Sequence, residues 1–460
     1  MLKKYLRFSA AALVLLFSID RFVVSGSCDL LSWALLFLAV LSLIHAFFRE
    51  RSPSSMGKLV SILLVPLTLL SNLLLLIVLV LIAFNYPPAK PVAPRIKIVQ
   101  PPPDQAAGYA ELFTLLENGE QACYSLPGGF SWQKDRYDYA YQGMAEILNE
   151  RCGAERGRLL DFITAGVTGK PFSEIEGQLG LPMSEPIPRY KNLVDLYRIE
   201  LLDLTRMIDE GRSAEAFAGY LLLWRGVRNR LDSRDGLVNA MASIAMAGFL
   251  ADFFETGILA LDQGMAEELL ESMDRMPALL DSSLAGGLMI ECAAISSFML
   301  QDQKGAVPLI VAGPGNDLYR SLVARFLRWP FFDVNANRDF IDGLFAEQID
   351  IVYLPREQKG KKAENLNARL QEIADHPFSL VNPTGRFLNA IAMPAVDSYD
   401  GKKEAVKARI TALTWLLKSV AGKDPGLLPE NSVNGERFVV EEQDGFLKIS
   451  GGNFFFRVRK

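Results

Sequence analysis

The sequence predicts a mainly α-helical fold, with N-terminal transmembrane helices, a bundle or array of helical hairpins, and a small antiparallel β-meander at the C-terminus. Three observations lead to this prediction. Long apolar runs fill the first part of the chain, apolar positions recur at helical spacing through most of the rest, and short β-rich runs end it. We therefore divide the chain into five regions, which cover residues 1–85, 86–105, 106–304, 305–430 and 431–460.

Two or three membrane spans are predicted in residues 1–85. Residues 59–84 and 30–48 are nearly continuous apolar runs of 26 and 19 residues, and a bilayer core needs about 20 residues of helix. Residues 8–24 are a shorter run of 17 preceded by three basic residues. This first run either spans the membrane or is the hydrophobic region of a signal peptide. The chain is therefore expected to contact membrane lipid through these segments.

Basic residues beside the spans predict their orientation. The N-terminal tail and the loop before residues 59–84 each carry three Lys or Arg, and the connection between the first two apolar runs carries one. With three spans, the large C-terminal domain lies outside the inner membrane, which in a Gram-negative bacterium is the periplasm. With two spans it lies inside. We favour the first topology.

Residues 86–105 are rich in proline and are predicted to form an extended tether between the membrane and the domain that follows. Residues 1–90 carry a net charge of +5 and the rest of the chain −10. Because nucleic-acid binding needs cations that replace phosphate counterions, this acidic domain is not expected to bind nucleic acid.

Helical periodicity dominates residues 106–304. Residues 192–209 carry an apolar stripe at spacings of three and four, and Gly211 is a C-terminal stop for this helix. Ser213 is expected to cap the next helix, which runs to residue 230.

Two further helices are apolar and rich in small residues. Asp232 or Ser233 is expected to cap the first, which contains residues 237–250, and the second covers residues 284–300. Polar residues within both favour buried helices of a bundle over membrane spans, and the small side chains would let the helices approach closely. Two similar stretches begin 53 residues apart, after each of which a helix starts with Gly and then Ala-Glu. They indicate helical hairpins packed side by side.

The chain from residue 305 is mixed but mostly helical. Residues 307–311 are a candidate strand, residues 313–317 a turn, and a helix follows to Trp329. Further helices are predicted over residues 340–347, 362–374 and 402–420. Three aromatic and β-branched runs, separated by Asp-Gly and Gly-Gly-Asn turns, predict a three-stranded antiparallel meander over residues 437–441, 446–450 and 454–458.

Two glycine-containing loops resemble phosphate-binding loops but do not meet the requirements. Residues 166–170 read Gly-Val-Thr-Gly-Lys, whereas a Walker A loop has four residues between its glycines and Ser or Thr after the lysine. Residues 313–315 lack the third glycine of a dinucleotide fingerprint, and Pro314 removes a donor. We interpret both as turns and predict no cofactor-binding residue.

Three cysteines lie outside the predicted spans. Cys123 and Cys152 either form a disulfide, if the domain is periplasmic, or remain two buried thiols. Cys292 is expected to pack in an apolar helix as a small hydrophobe. The chain has no Cys-x-x-Cys motif and only two histidines, His45 and His376, so no metal ligand is predicted.

Charged side chains supply the remaining candidates. Glu291 is interpreted as an exposed or Arg-paired residue, the alternative being a buried carboxylate with a raised pKa that acts as acid or base. Asp252 and Glu255 are interpreted as a solvated face rather than metal ligands. Residues 359–362, Lys-Gly-Lys-Lys, are interpreted as a solvated loop. Catalytic residues stay unassigned.

The predicted architecture favours a membrane-anchored domain that binds another protein, as an interaction or scaffold module of the bacterial envelope, because packed helical hairpins offer extended surfaces. One alternative is an envelope enzyme whose carboxylates, such as Glu291 or Asp252, gather in a helical pocket. A second alternative is a ligand sensor that relays binding through the spans.

Overall fold

A computed structural model of the chain describes residues 139–165, 190–233, 236–253, 261–273, 275–302, 333–375, 396–443, 446–451 and 454–459, together with residues 80, 115, 116, 123 and 124. The chain divides into two compact units. The first comprises Met1–Val92, Val307–Asn337 and Ile373–Ile391. The second, here called the helical unit, comprises Ala93–Ala306, Arg338–Glu372 and Ala392–Lys460 and holds nearly all the described residues.

Few residues of the first unit are described. Among them, Asp333 stands before a helix and its Oδ1 accepts hydrogen bonds from the backbone N–H groups of Asn335 and Ala336 at 3.1 and 3.0 Å. This is the usual way in which a short acidic side chain satisfies the free N–H groups at a helix start.

The described residues form nine helices and a three-stranded sheet. The helices are α1 Tyr139–Thr164, α2 Tyr190–Asp209, α3 Ser213–Asp232, α4 Leu237–Asp252, α5 Gln263–Ser272, α6 Met276–Asp302, α7 Val334–Tyr353, α8 Arg356–Asp375 and α9 Val396–Val420. The strands are β1 Val439–Gln443, β2 Phe446–Gly451 and β3 Phe454–Arg459.

Helix α4 lies at the centre of the helical unit, because it packs against α2, α3, α6 and α9. Most of its side chains are buried, as expected of a helix that is apolar on every face. Helix α9 also packs against α5 and α6, and α1 packs against α2 and α3. The prediction of a mainly helical fold is confirmed, and these contacts make it a bundle.

Small residues allow the close packing of α4, α6 and α9. A Cβ atom on Gly287 of α6 would lie 2.9 Å from the Cα atom of Leu237, at the start of α4. A Cβ atom on Gly248 of α4 would lie 3.2 Å from a methyl group of Val406 on α9. The prediction that small side chains let these helices approach closely is therefore confirmed.

The expected helix caps are correct in one case and wrong in two. Gly211 has a φ of +81° directly after α2, as a C-terminal glycine should. Ser213 is inside α3, and the N-cap residue is Arg212, which makes no capping hydrogen bond. Ser233 caps the C-terminus of α3, while Gly236, with a φ of +112°, precedes α4. The preference of Ser and Asp for the N-cap position does not decide where α4 begins. The tight α3–α4 turn needs a residue with a positive φ, which only glycine adopts easily.

The two stretches interpreted as a repeat differ in structure. Gly211 lies in a turn before α3, whereas Gly264 is already inside α5, whose N-cap Asp262 accepts a hydrogen bond from the Met265 N–H group at 2.8 Å. The similarity is therefore confined to the sequence.

The C-terminal strands form an antiparallel sheet in the order β1-β2-β3, so the predicted small antiparallel sheet is confirmed. Val440 pairs with Ile449, which pairs with Phe456 on the outer strand. The Ile449 and Phe456 side chains are fully buried, and β2 and β3 pack against α9. The sheet therefore covers one side of α9.

A disulfide joins Cys123 to Cys152 of α1, with their Cα atoms 5.6 Å apart. Of the two alternatives left open by the sequence, the structure thus contains the disulfide. Arg156, one turn further along α1, is almost fully buried and forms an ion pair with Glu200 of α2. These contacts fix α1 against its neighbours.

The predicted spans over residues 8–24, 30–48 and 59–84 lie outside the described residues, apart from the helical residue Val80. So do the tether, the loops at residues 166–170 and 313–317, and both histidines. Within the described ranges, every helix is too short or too polar to cross a bilayer. The domain boundaries expected from the sequence stay predictions.

Candidate functional site

A pocket of about 660 Å³ opens in the helical unit beside the first turns of α9, and we call it the α9 pocket. Its walls come from the second half of α7, the first half of α8, the start of α9 and the loop that contains Ser432 and Val433. The volume falls within the range of about 300–1,000 Å³ that is usual for ligand sites.

The turn between α7 and α8 shapes one side of the pocket. Helix α7 ends at Tyr353 because Pro355 cannot continue it, and α8 begins at the next residue. A small core of Leu344, Ile351 and Leu366 holds the two helices together. Ile351 and Leu366 also line the pocket, so the same side chains that join the helices form its apolar wall.

Lys403 of α9 lies beneath the pocket and is completely buried. Its Nζ atom is 2.7 Å from Asp281 Oδ1, 2.9 Å from Asp400 Oδ1 and 3.0 Å from Glu404 Oε1. Three carboxylates around one buried ammonium compensate for its lost hydration, which is the condition for burying a charge. Lys407 pairs with the other oxygen of Asp281 at 2.5 Å.

Lys359 of α8 completes this group from the pocket side. Its Nζ atom donates to Glu404 Oε1 at 2.7 Å, to Asp400 Oδ1 at 3.2 Å and to the carbonyl oxygen of Val352 at 3.2 Å. Lys403 also donates to the Val352 carbonyl, at 3.4 Å. Because Val352 is in the last turn of α7, both lysines satisfy a carbonyl that has no partner within the helix.

The lysine–carboxylate cluster, as we call Lys359, Lys403, Lys407, Asp281, Asp400 and Glu404, has three charges of each sign. It connects α6, α8 and α9 and the end of α7. Residues 359–362 lie in α8, so the sequence interpretation of them as a loop is wrong; residues 360–362 are exposed, whereas the Lys359 side chain is only 12% exposed.

The ionised forms of the cluster are strongly favoured. Burial alone would lower the pKa of Lys403, but the carboxylates of Asp400 and Asp281 raise it above its ordinary value. Burial alone would raise the pKa of Glu404, but the hydrogen bond from Lys359 and the charge of Lys403 lower it to about 2. Both groups therefore keep their charge across the physiological pH range.

Gln348 of α7 lines the same pocket and, unlike the residues of the lysine–carboxylate cluster, has no polar partner among the described residues. Its side chain is 1% exposed, and neither its amide nitrogen nor its amide oxygen has a hydrogen-bond partner among the described residues. Buried amides in native proteins are nearly always hydrogen-bonded, and an unsatisfied one costs about 1–3 kcal/mol.

Asp252 and Glu291, the candidate carboxylates from the sequence, do not line the α9 pocket. Asp252 is 5% exposed at the end of α4 and forms an ion pair with Arg409 of α9, so its assignment to a solvated face is wrong. The reason is that α9 crosses α4 there and brings Arg409 to it. Glu255 lies outside the described residues.

Glu291 is half-buried on α6, and burial raises the pKa of its carboxyl group. It has no ion-pair partner among the described residues, so the expectation of an exposed or Arg-paired side chain is not met there. It does not line the α9 pocket. The next residue, Cys292, is buried as expected, its thiol is 3.5 Å from Asp342 Oδ1, and burial raises the thiol pKa.

Sequence reasoning missed Lys403 and Gln348, although a signal for each was present. Lys403 continues the apolar stripe of α9, which passes through Val406, Ile410, Leu413 and Leu417 at spacings of three and four. Gln348 occupies the corresponding place on α7, between Leu344 and Ile351. A polar residue on an apolar stripe indicates a buried polar group, and such groups need a partner.

A second groove of about 520 Å³ lies where α5, α6 and α9 meet the loop around Leu427, whose side chain is 90% exposed. None of the residues lining it has a buried polar atom without a hydrogen bond, so it lacks the feature that distinguishes the α9 pocket. In the described part of the chain, no three His, Cys, Asp or Glu side chains are placed to hold a metal ion.

Comparisons with protein-family models, with curated proteins and with solved structures find no match to this chain, so its own geometry is the basis for assigning a function.

Proposed function

We propose that this chain is a membrane-anchored interaction module of the bacterial envelope that binds a segment of another protein in the α9 pocket. The observation that carries the proposal is a pocket with apolar walls whose buried charged groups, Lys359, Asp400 and Glu404, are held in ion pairs. Proton transfer needs a group with a pKa near the working pH. Glu404 and Lys403 have pKa values displaced away from neutrality in opposite directions, which suits binding rather than acid–base catalysis.

The rim of the pocket supports binding of a macromolecule. Val433 lines the pocket and its side chain is 52% exposed, so an apolar surface continues from the pocket to the outside. Exposed apolar surface next to a pocket is typical of sites where a partner inserts a side chain.

Placement in the envelope is part of the proposal and is supported by two features. The apolar runs over residues 30–48 and 59–84 have the length and composition of membrane spans. The Cys123–Cys152 disulfide favours an oxidising compartment, because cytosolic thiols are kept reduced.

In the alternative of an envelope enzyme, Glu291 and Asp252 would be the carboxylates that gather in a helical pocket. Neither lines the α9 pocket, and Asp252 is occupied by Arg409. The observations therefore favour the binding function over this alternative.

Photo-crosslinking in living cells tests the proposal. A diazirine amino acid placed at Val433 of the full chain should give a discrete adduct with one other envelope protein. The adduct should disappear when Gly401→Trp is added, because Gly401 lines the pocket and a Cβ atom there meets nothing within 4 Å, so the ring can enter the pocket.

Gly157→Trp is the matched control. Gly157 is also a helical glycine with open space around its Cβ position, but it lies on α1, which does not line the pocket. The control should keep the adduct. An adduct that survives Gly401→Trp, or the absence of any protein adduct, would overturn the proposal, and the second result would favour a small ligand in the pocket.

A further inference from the structure

The pocket holds a hydrogen-bonding group that the described residues leave unused. Both polar atoms of the Gln348 amide are buried at the pocket wall without a partner. A carboxamide presents one donor face and one acceptor face side by side. The main-chain N–H and C=O groups of one residue in an extended segment of another chain point to the same side and offer the complementary donor and acceptor.

The ammonium groups of the pocket have no donors to spare. An ammonium has three N–H groups, and Lys359 donates to three protein oxygens. Lys403 is surrounded by four oxygens and is fully buried. Anionic ligands usually bind through free ammonium or guanidinium N–H groups, so the polar floor does not suit an anion.

The carboxylates, by contrast, have acceptor capacity left. Each carboxylate can accept about four hydrogen bonds, and the second oxygen of Glu404 is not used by either lysine. The lysine–carboxylate cluster has three charges of each sign, and Glu357 on the pocket wall adds one carboxylate, so one negative charge is in excess. A cation at this floor is therefore favoured by charge and by hydrogen bonding.

Apolar side chains form most of the remaining wall. Ile351, Val352, Leu366 and Val433 surround the polar floor. Such a wall accommodates the methylene stem of Lys or Arg, which packs on apolar surface while its head reaches a polar group.

We propose that the α9 pocket recognises a Lys or Arg residue of the partner polypeptide, with its side-chain cation at the second oxygen of Glu404 and its main-chain N–H and C=O groups hydrogen-bonded to Gln348. This inference rests on the proposed function and specifies the chemistry of the partner segment.

Fluorescence anisotropy with the full chain in nanodiscs tests the specificity. The probes are fluorescein-labelled pentapeptide pools with aliphatic flanks and with Arg, Lys, citrulline or Glu at the centre. Citrulline keeps the shape of Arg but is neutral. The Arg and Lys pools should bind at least tenfold more tightly than the citrulline and Glu pools, and their affinity should fall with added salt. Equal affinity for all pools, tightest binding of the Glu pool, or no binding of any pool would overturn the inference.

Substitution of the amide tests its role separately. Gln348→Met should weaken binding of the Arg pool at least tenfold, while the thermal unfolding midpoint stays the same or rises, since the variant removes an unsatisfied buried group. Gln358→Met is the matched control, because Gln358 is exposed on α8, and it should bind as the parent chain does. Full affinity of Gln348→Met would show that the amide is not the recognition group.

The two sets of experiments fail in different ways. If the Val433 adduct is formed and blocked by Gly401→Trp but the Arg and Lys pools are not preferred, the pocket binds a protein of other chemistry. Only the proposed recognition of Lys or Arg is then wrong. If the adduct is absent, the proposed function is wrong as well.

Discussion

Individual polar residues on apolar helix faces determine the character of the α9 pocket. Lys403 and Gln348 are both essentially removed from solvent, yet within the described ranges only Lys403 has compensating groups around it. A buried ammonium without carboxylates would lose its proton or unfold the site. An unpaired amide costs less and can be kept where a partner supplies the missing hydrogen bonds.

Because of Glu404, the free energy of unfolding of the helical unit should depend on pH in the acidic range. Its pKa is lowered from 4.5 in the reference state to about 2 in the fold. A carboxyl group with a lowered folded-state pKa stabilises the protein above its unfolded pKa, and this contribution is lost as the pH falls through the folded value. Glu404→Gln should therefore reduce stability at pH 7 by about 1–2 kcal/mol, a value that allows for solvent screening.

The difference between the parent chain and Glu404→Gln should shrink steadily between pH 4.5 and pH 2. Urea unfolding of both proteins in detergent, at a series of pH values, measures it. Glu357→Gln, at an exposed position of the same pocket, should follow the parent curve. A difference that stays constant down to pH 2 would contradict this account of Glu404.

Whole helices are positioned by backbone contacts at small residues and by caps from other helices. Gly287 allows α6 to touch the first residues of α4, where the Gly236 carbonyl oxygen would lie 3.1 Å from a Cβ atom on Gly287. The end of α7 is held by lysines of α8 and α9. Each helix therefore depends on its neighbours for its position.

Gly287→Ala should destabilise the helical unit by about 1–3 kcal/mol, because the added methyl group meets backbone atoms that cannot rotate away. Gly157→Ala on α1, where a Cβ atom meets nothing within 4 Å, should instead stabilise it by about 0.5–1 kcal/mol through the better helix propensity of alanine. Thermal unfolding followed by circular dichroism gives both values. Equal effects of the two variants would mean that the α4–α6 crossing is not as close as described.

At the scale of the molecule, the charge, the apolar runs and the disulfide are the features on which the proposed envelope placement depends. The positive net charge is in the first 90 residues and the negative charge in the remainder. The proposed placement, an inner-membrane anchor with basic residues on the cytoplasmic side and the disulfide-bonded domain on the other side, would account for all three features.

We expect the Cys123–Cys152 disulfide and a domain outside the inner membrane to be found together in cells. In acid-quenched cells, PEG-maleimide should label two more cysteines after reduction than before it, and a C-terminal tag should be digested by protease added to spheroplasts. Replacement of both cysteines by serine should remove the difference in labelling and cost about 3–4 kcal/mol, from the loop that the bond closes across a separation of 29 residues.

A cytoplasmic protein serves as the lysis control in that experiment. If the tag survives until the membrane is opened and reduction adds no labelled thiol, the domain is in the cytoplasm. The envelope part of the proposed function would then be withdrawn.

Local sequence patterns predicted much of the fold but not the helix caps or the partner of Asp252. Apolar spacing predicted helices at the positions of α2, α3, α4 and α9, and glycine turns predicted the C-terminal sheet. Helix caps were less predictable: α3 begins one residue earlier than a Ser213 cap requires, and the residue before α4 is Gly236 with a positive φ rather than Ser233. The interpretation of Asp252 as solvated failed because its partner, Arg409, is 157 residues away in the chain.

By itself, the sequence determined most of the segments that are helical or extended, because side-chain spacing and turn residues act over a few positions. It also supplied the charge division and the apolar runs. Only the tertiary structure decided that Lys359, Lys403, Asp281, Asp400 and Glu404 meet, that Gln348 faces a pocket, and that Cys123 reaches Cys152. These are contacts between helices, and helix crossing depends on packing across the whole core rather than on any local pattern.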